Sequence, residues 1–293
     1  MPTPTSPLRR RTWLAGCLAS ACALSLGCQV FVQPPEKALD SLLQPIKASP
    51  DSVSLEVFQA RIPLDQDKKA DAIWEQIDEQ KFGADLRRKL VANGLRAGIV
   101  GGTLPSDLAT LLDVDDPVAA ESGAQVITDQ SAVPRVTRSV VRLKPRDSRA
   151  IQVSDVRNEA QVMISDNGVL GGRPFRQLQS VYSLQAEPIP GQRAKIRITP
   201  ELQHGDMKQR YAGSSERGII MSITSRDREV FEELAMESTL APGELLVLGC
   251  LPDAKTSIGG VFHTASVAGK DERKLIIIRL AQVPPSEILA QKK

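Results

Sequence analysis

The stretch Val162-Met163-Ile164-Ser165-Asp166-Asn167-Gly168 is an apolar strand running into a hairpin turn. Asn-Gly tolerates positive φ at both central positions, which a tight two-residue hairpin turn requires. Further along, Lys195-Ile196-Arg197-Ile198 alternates cation and isoleucine, the period of a strand with one buried face. Between them Val181 to Ala186 gives another strand, ended by Pro188, Pro190 and Gly191. Working outward, strands are expected at Val136–Leu143, Ile151–Val153, Gly218–Ile223, Val230–Met236, Glu244–Leu248, Val261–Thr264 and Lys274–Leu280. His204-Gly205-Asp206 is expected to turn the chain back. Strands this frequent predict a mostly antiparallel β-sandwich or barrel-like domain over residues 124–283, with 284–293 as a tail.

Residues 51–117 differ in pattern. Val53, Leu55, Val57 and Ala60 suggest a strand, ended by Pro63. Ala70, Ile73, Trp74 and Ile77 make one apolar helical stripe, capped by Asp65 or Asp67, and Gly83 interrupts it. A second helix from Ala84 closes at Asn93-Gly94, Leu95 to Val100 is a buried strand, and Pro105 to Leu112 is a short helix. The order β-α-α-β-α predicts a small N-terminal α+β domain, so the fold class of the whole is α+β. Asp113, Asp115, Asp116, Pro117, Glu121, Ser122 and Gly123 form an acidic, turn-rich boundary or a surface loop.

The first thirty residues carry a different message. Arg9, Arg10 and Arg11 precede an uncharged run whose apolar heart is Trp13 to Leu26. That heart is short of the roughly 20 residues a membrane-spanning helix needs, and small residues and a cysteine follow it. Residues 1–27 are therefore expected to be an export signal, and Cys28 the lipidation site of a bacterial lipoprotein. Cys17 and Cys22 compete for that role, and a plain secretory signal remains open. Arg10-Arg11-Thr12-Trp13-Leu14 also resembles a twin-arginine signal. Residues 28–50, with Pro34, Pro35, Pro45 and Pro50, are expected to be a tether from the membrane to the folded part.

The chain has 37 basic and 35 acidic residues; without 1–27 it has 34 and 35. Bulk charge at that balance offers nothing for nucleic acid. With Cys28 acylated, Cys250 is the sole remaining thiol, so stability rests on burial rather than on a disulfide.

Residues 192–251 contain two passages of note. Ile196-Arg197-Ile198-Thr199-Pro200-Glu201-Leu202 is a strand ending in a Thr-Pro step, followed by His204-Gly205-Asp206. Leu240-Ala241-Pro242-Gly243-Glu244-Leu245-Leu246-Val247-Leu248-Gly249 is a Gly-Glu turn followed by an apolar strand. Together they resemble the C-terminal module of the secretins, the ring-forming outer-membrane proteins of secretion and pilus systems. The resemblance implies an outer-membrane location facing the periplasm, and partners among envelope proteins or other copies of the chain.

Catalytic patterns are sparse. The two histidines, His204 and His263, form no metal-ligand spacing, and neither Gly-x-Ser-x-Gly nor Ser-x-x-Lys occurs. Gly98 to Thr103 lacks the Lys-Ser/Thr ending of a phosphate loop, so close packing accounts better for its glycines. No cofactor is expected. The densest basic run is Arg135, Arg138, Arg142, Lys144, Arg146 and Arg149. Arg138, Arg142 and Lys144 share parity, so they could line one face and meet an anionic surface. The expected function is a non-enzymatic structural, assembly or docking role in the envelope. The alternative is a periplasmic hydrolase or small-ligand binder with its site between the two domains.

Overall fold

The computed structural model describes residues 52–64, 67–101, 104–112, 135–214, 219–267 and 269–284. The expected signal, the tether with Cys28, the 113–123 stretch and the end of the tail lie outside them. The described residues all fall in one compact unit.

The elements of the first segment come in the expected order, but the first helix ends at Glu75, leaving Ile77 beyond it, and a 3-10 turn at Glu79–Lys81 rather than Gly83 alone separates it from the next. The elements are β1 (Val53–Pro63), α1 (Asp67–Glu75), α2 (Ala84–Ala92), β2 (Leu95–Val100) and α3 (Ser106–Leu112). Gly94 takes φ +72° after α2, the left-handed residue that ends the helix. Gly98 is required for space: a Cβ there would stand 2.3 Å from Ile77 Cγ2.

The remaining strands are β3 (Val136–Leu143), β4 (Ser148–Gln152), β5 (Arg157–Asp166), β6 (Val169–Ile189), β7 (Arg193–Ser214), β8 (Ile219–Val230), β9 (Met236–Leu240), β10 (Leu245–Cys250), β11 (Thr264–Val267) and β12 (Lys270–Gln282). Two antiparallel sheets result. The first runs β2-β10-β12-β1-β3, with β11 against β12. The second runs β4-β6-β7-β8, with β5 against β6 and β9 against β7. Strands from both expected stretches, 51–117 and 124–283, share the first sheet, because β1 pairs with β12 and β2 with β10.

The main core lies between the sheets. Val53, Leu55 and Val57 of β1 meet Tyr182, Leu184, Ile196 and Ile198 there, with Leu90 of α2 closing the layer. Phe58, Ala60 and Ile62 point the other way, against Ile73 and Trp74 of α1 and Leu108 of α3. The chain is therefore layered helix, sheet, sheet, which explains why β1 is buried nearly throughout.

Three local expectations are corrected. His204-Gly205-Asp206 is no hairpin turn; β7 continues to Ser214, and the glycine, at φ +74°, sits in a bulge between the His204 and Lys208 pairings with β8. Val261 to Thr264 is not a strand. Ser257 caps a helix, α4 (Ile258–His263), by accepting from the Gly260 N–H. Gly259 lets that helix lie on Gly94, whose carbonyl oxygen would be 1.9 Å from an added Cβ. Val230–Met236 is split by a 3-10 turn at Glu232–Leu234. The Asn-Gly hairpin stands as read, with φ 49° and 82° at Asn167 and Gly168.

Pro200 lies inside β7 without harm. Its carbonyl accepts from Phe231 N–H, so the missing donor faces the gap where β9 hands over to β8 along the same edge.

Candidate docking surface

β3 is an edge strand, paired only with β1 among the described residues. Register fixes its faces. Leu143, Val141 and Ser139 lie opposite Val53, Leu55 and Val57, on the face toward the second sheet. Arg142, Val140 and Arg138 lie opposite Ser54, Glu56 and Phe58, on the helix side.

The expected row Arg138, Arg142, Lys144 divides into two roles. Arg138 pairs with Glu56, which is buried and also receives Arg279 of β12. Its guanidinium lies 5.7 Å from the Phe58 ring centroid. Two cations around one buried carboxylate neutralise it, as a desolvated charge requires, so Arg138 is committed to the fold. Arg142 and Lys144 are exposed, Lys144 just past the end of the strand, and neither makes an ion pair among the described residues. Arg146 and Arg149 are also exposed and unpaired there.

Beside β3 runs a groove of about 470 Å³ lined by Gln59, Ser139 to Arg142 and Arg149 to Gln152. Its second wall is β4, the edge of the other sheet, and Gln59 Nε2 donates to the Gln152 carbonyl at 3.1 Å across it. Val140 is 56% exposed along this edge.

A second surface lies where β6 and β7 part. They pair from Gln179/Gln203 to Ile189/Arg193 only. Beyond that, β6 pairs with β5, and β7 pairs with β8. The β5–β6 hairpin is held to the body: Asn93 Nδ2 donates to the Ser165 carbonyl at 3.0 Å, and Ser165 N–H donates to Asn93 Oδ1 at 2.8 Å. Met163 N–H donates to the Thr256 carbonyl as well. From Lys208 on, β7 pairs with β8 alone among the described residues. Val169 and Leu170 at the β5–β6 turn, and Met207 in the bulge, are 72%, 60% and 62% exposed.

His263 and Tyr182 form a fully buried pair. His263 Nδ1 is 3.0 Å from the Lys274 carbonyl, which can only accept, so Nδ1 carries the proton and Nε2 accepts from Tyr182 Oη at 2.7 Å. Burial pushes the imidazole down to about 4 and the phenol well above its ordinary range. A neutral histidine sealed in the core is a structural linker of β6, α4 and β12. Cys250, which ends β10, is buried. A larger hollow of about 540 Å³ is lined by Asp85, Arg88, Lys89, Asn93, Asp166 and Glu233 among others. Its Arg88 and Asp85 already pair with each other, and its charges are mixed. No group of three or more metal-ligating side chains occurs among the described residues.

No known protein family matches the chain's sequence, and no curated protein does. Several solved structures resemble it. The type II secretin GspD of enteropathogenic Escherichia coli is 13% identical, with 87% of this chain and 77% of that one covered and a TM-score of 0.26. The InvG secretin domain β-barrel of the Salmonella SPI-1 injectisome is 10% identical, covering 87% and 71%, with a TM-score of 0.21. GspD in the AspS–GspD pilotin–secretin complex of ETEC is 12% identical, covering 87% and 55%, with a TM-score of 0.25. At such values no residue role or activity is carried over to this chain.

Sequence reading found the basic run but missed Glu56, which decides the role of Arg138. The single acid of β1, set between the buried Leu55 and Val57, was the available signal.

Proposed function

We propose that this protein is a non-enzymatic lipoprotein of the cell envelope, anchored through Cys28 and facing the periplasm from the outer membrane. There it assembles or docks through a secretin-like β module. The observation that supports the assembly role is the parting of β6 and β7. Two long strands that share a ladder over half their length, then pair with different partners, leave strand edges and exposed apolar residues beyond the core. Such edges are templates for another chain. The anchoring role rests on the signal-like N-terminus, where two acyl chains would hold the protein stably.

Metabolic labelling with a clickable fatty acid tests the anchor. Label is expected on the wild type, Cys17→Ser and Cys22→Ser, and lost in Cys28→Ser. A wild type without label, or a Cys28→Ser variant that keeps it, would overturn the anchoring.

A further inference from the structure

We propose that the groove between β3 and β4 receives an extended acidic segment of a partner protein, added as a strand to the outer edge of β3. This gives the docking role a partner chemistry and rests on that role; it is independent of self-association. Three observations carry it.

The first is the free edge. β3 pairs only with β1 among the described residues, so its other edge presents backbone donors and acceptors toward the groove. Only a polypeptide in extended form satisfies such a row, which is the basis of recognition by strand addition. The second is charge. Arg142, on the helix-side face at the rim of β3, and Arg149 of β4 both border the groove, no acidic residue does, and neither arginine is ion-paired among the described residues. Lys144 and Arg146 in the connecting turn extend the same sign, against Asp147 alone. Arg138 is already engaged by Glu56, so the cations left for a ligand lie toward the Arg142 end of the strand. The third is the lining. Ser139, Val140, Val141, Ala150 and Ile151 offer small and aliphatic contacts but no aromatic platform. A strand alternating acidic and β-branched residues matches that wall; a nucleic acid would find nothing to stack on.

The same charges select against the chain itself. Two β3 strands laid edge to edge would bring their arginines together, a repulsion that protects free edges from self-pairing. A flat anionic membrane would reach Lys144 and Arg146 but would leave the backbone edge unpaired.

The full chain in detergent is titrated with a fluorescent peptide alternating glutamate and valine, and with its lysine–valine counterpart. Anisotropy reads binding, and amide hydrogen exchange reads the backbone of residues 136–143. The glutamate peptide should bind and slow exchange in β3, and the lysine peptide should not bind. The double variant Arg142→Glu/Arg149→Glu, both sites being exposed, should lose about tenfold in affinity for the glutamate peptide and gain affinity for the lysine peptide. Equal binding of the glutamate peptide to wild type and variant would overturn the proposal. So would binding without protection of β3, or capture of phosphatidylglycerol vesicles with no binding of peptide. A monomer by light scattering would leave this result standing, so the two ideas fail separately.

Discussion

Acid should weaken this fold through one side chain. His263 is fully buried, its Nδ1–H donates to Lys274, and its Nε2 accepts from Tyr182. Burial lowers its folded pKa from 6.5 to about 4. A depressed histidine is neutral in the folded chain while the unfolded chain takes up a proton, so folding loses free energy as pH falls from 6.5 to 4. Above pH 6.5 the penalty vanishes; below about 4 it is complete. At about 1.4 kcal/mol per pKa unit, the loss by pH 4 is about 3 kcal/mol. Urea unfolding followed by the fluorescence of buried Trp74 measures it, with His263→Leu as the reference that cannot titrate. The variant should be weaker at pH 7 by about 2–4 kcal/mol, because Tyr182 Oη and the Lys274 carbonyl lose their partner. From pH 7 to 4 the wild type should then lose about 3 kcal/mol more than the variant does. Carboxylates titrate in both proteins and cancel in the comparison. Parallel curves for the two proteins would refute the reasoning, since they would mean that His263 keeps an ordinary pKa in the folded state.

Other substitutions probe the joints of the fold. Glu56→Gln leaves Arg138 and Arg279 without their shared carboxylate and should cost about 1–3 kcal/mol in urea unfolding; the half-exposed arginines keep it below the cost of breaking a fully buried pair. Gly259→Ala sets a Cβ against the Gly94 carbonyl and should lower stability by about 3 kcal/mol or more, with Gly83→Ala, which meets nothing, as the tolerated control. Asn93→Ala should cost about 2 kcal/mol and speed amide exchange in the β5–β6 turn more than in β12, because it removes both links to Ser165.

How much could be read beforehand depended on range along the chain. Asn167-Gly168 and the Lys195 to Ile198 alternation report local backbone demands, so they were legible. His204-Gly205-Asp206 was not: a left-handed glycine serves a bulge as well as a turn, and what decides is the pairing of Lys208 and beyond with β8. Val261-Phe262-His263 carries strand-like residues, yet the Ser257 cap starts a helix there, and Gly259, a poor helix former, is what lets it lie on Gly94. The shared sheet depends on β1 meeting β12, a contact between the two ends of the described chain that no local pattern encodes. The same applies to the docking surface. Its charge was visible in the run from Arg135 to Arg149. The division between a structural Arg138 and an available Arg142 follows from the Glu56 register.

The central claim, that this β module exists to assemble or dock in the envelope, is tested most directly by the native mass of the detergent-extracted protein. Light scattering on that fraction, with negative-stain images of it, should show large uniform assemblies in which the β5–β8 strands meet other chains. A monodisperse monomer with no ring or ordered particle would contradict assembly through the parted strands.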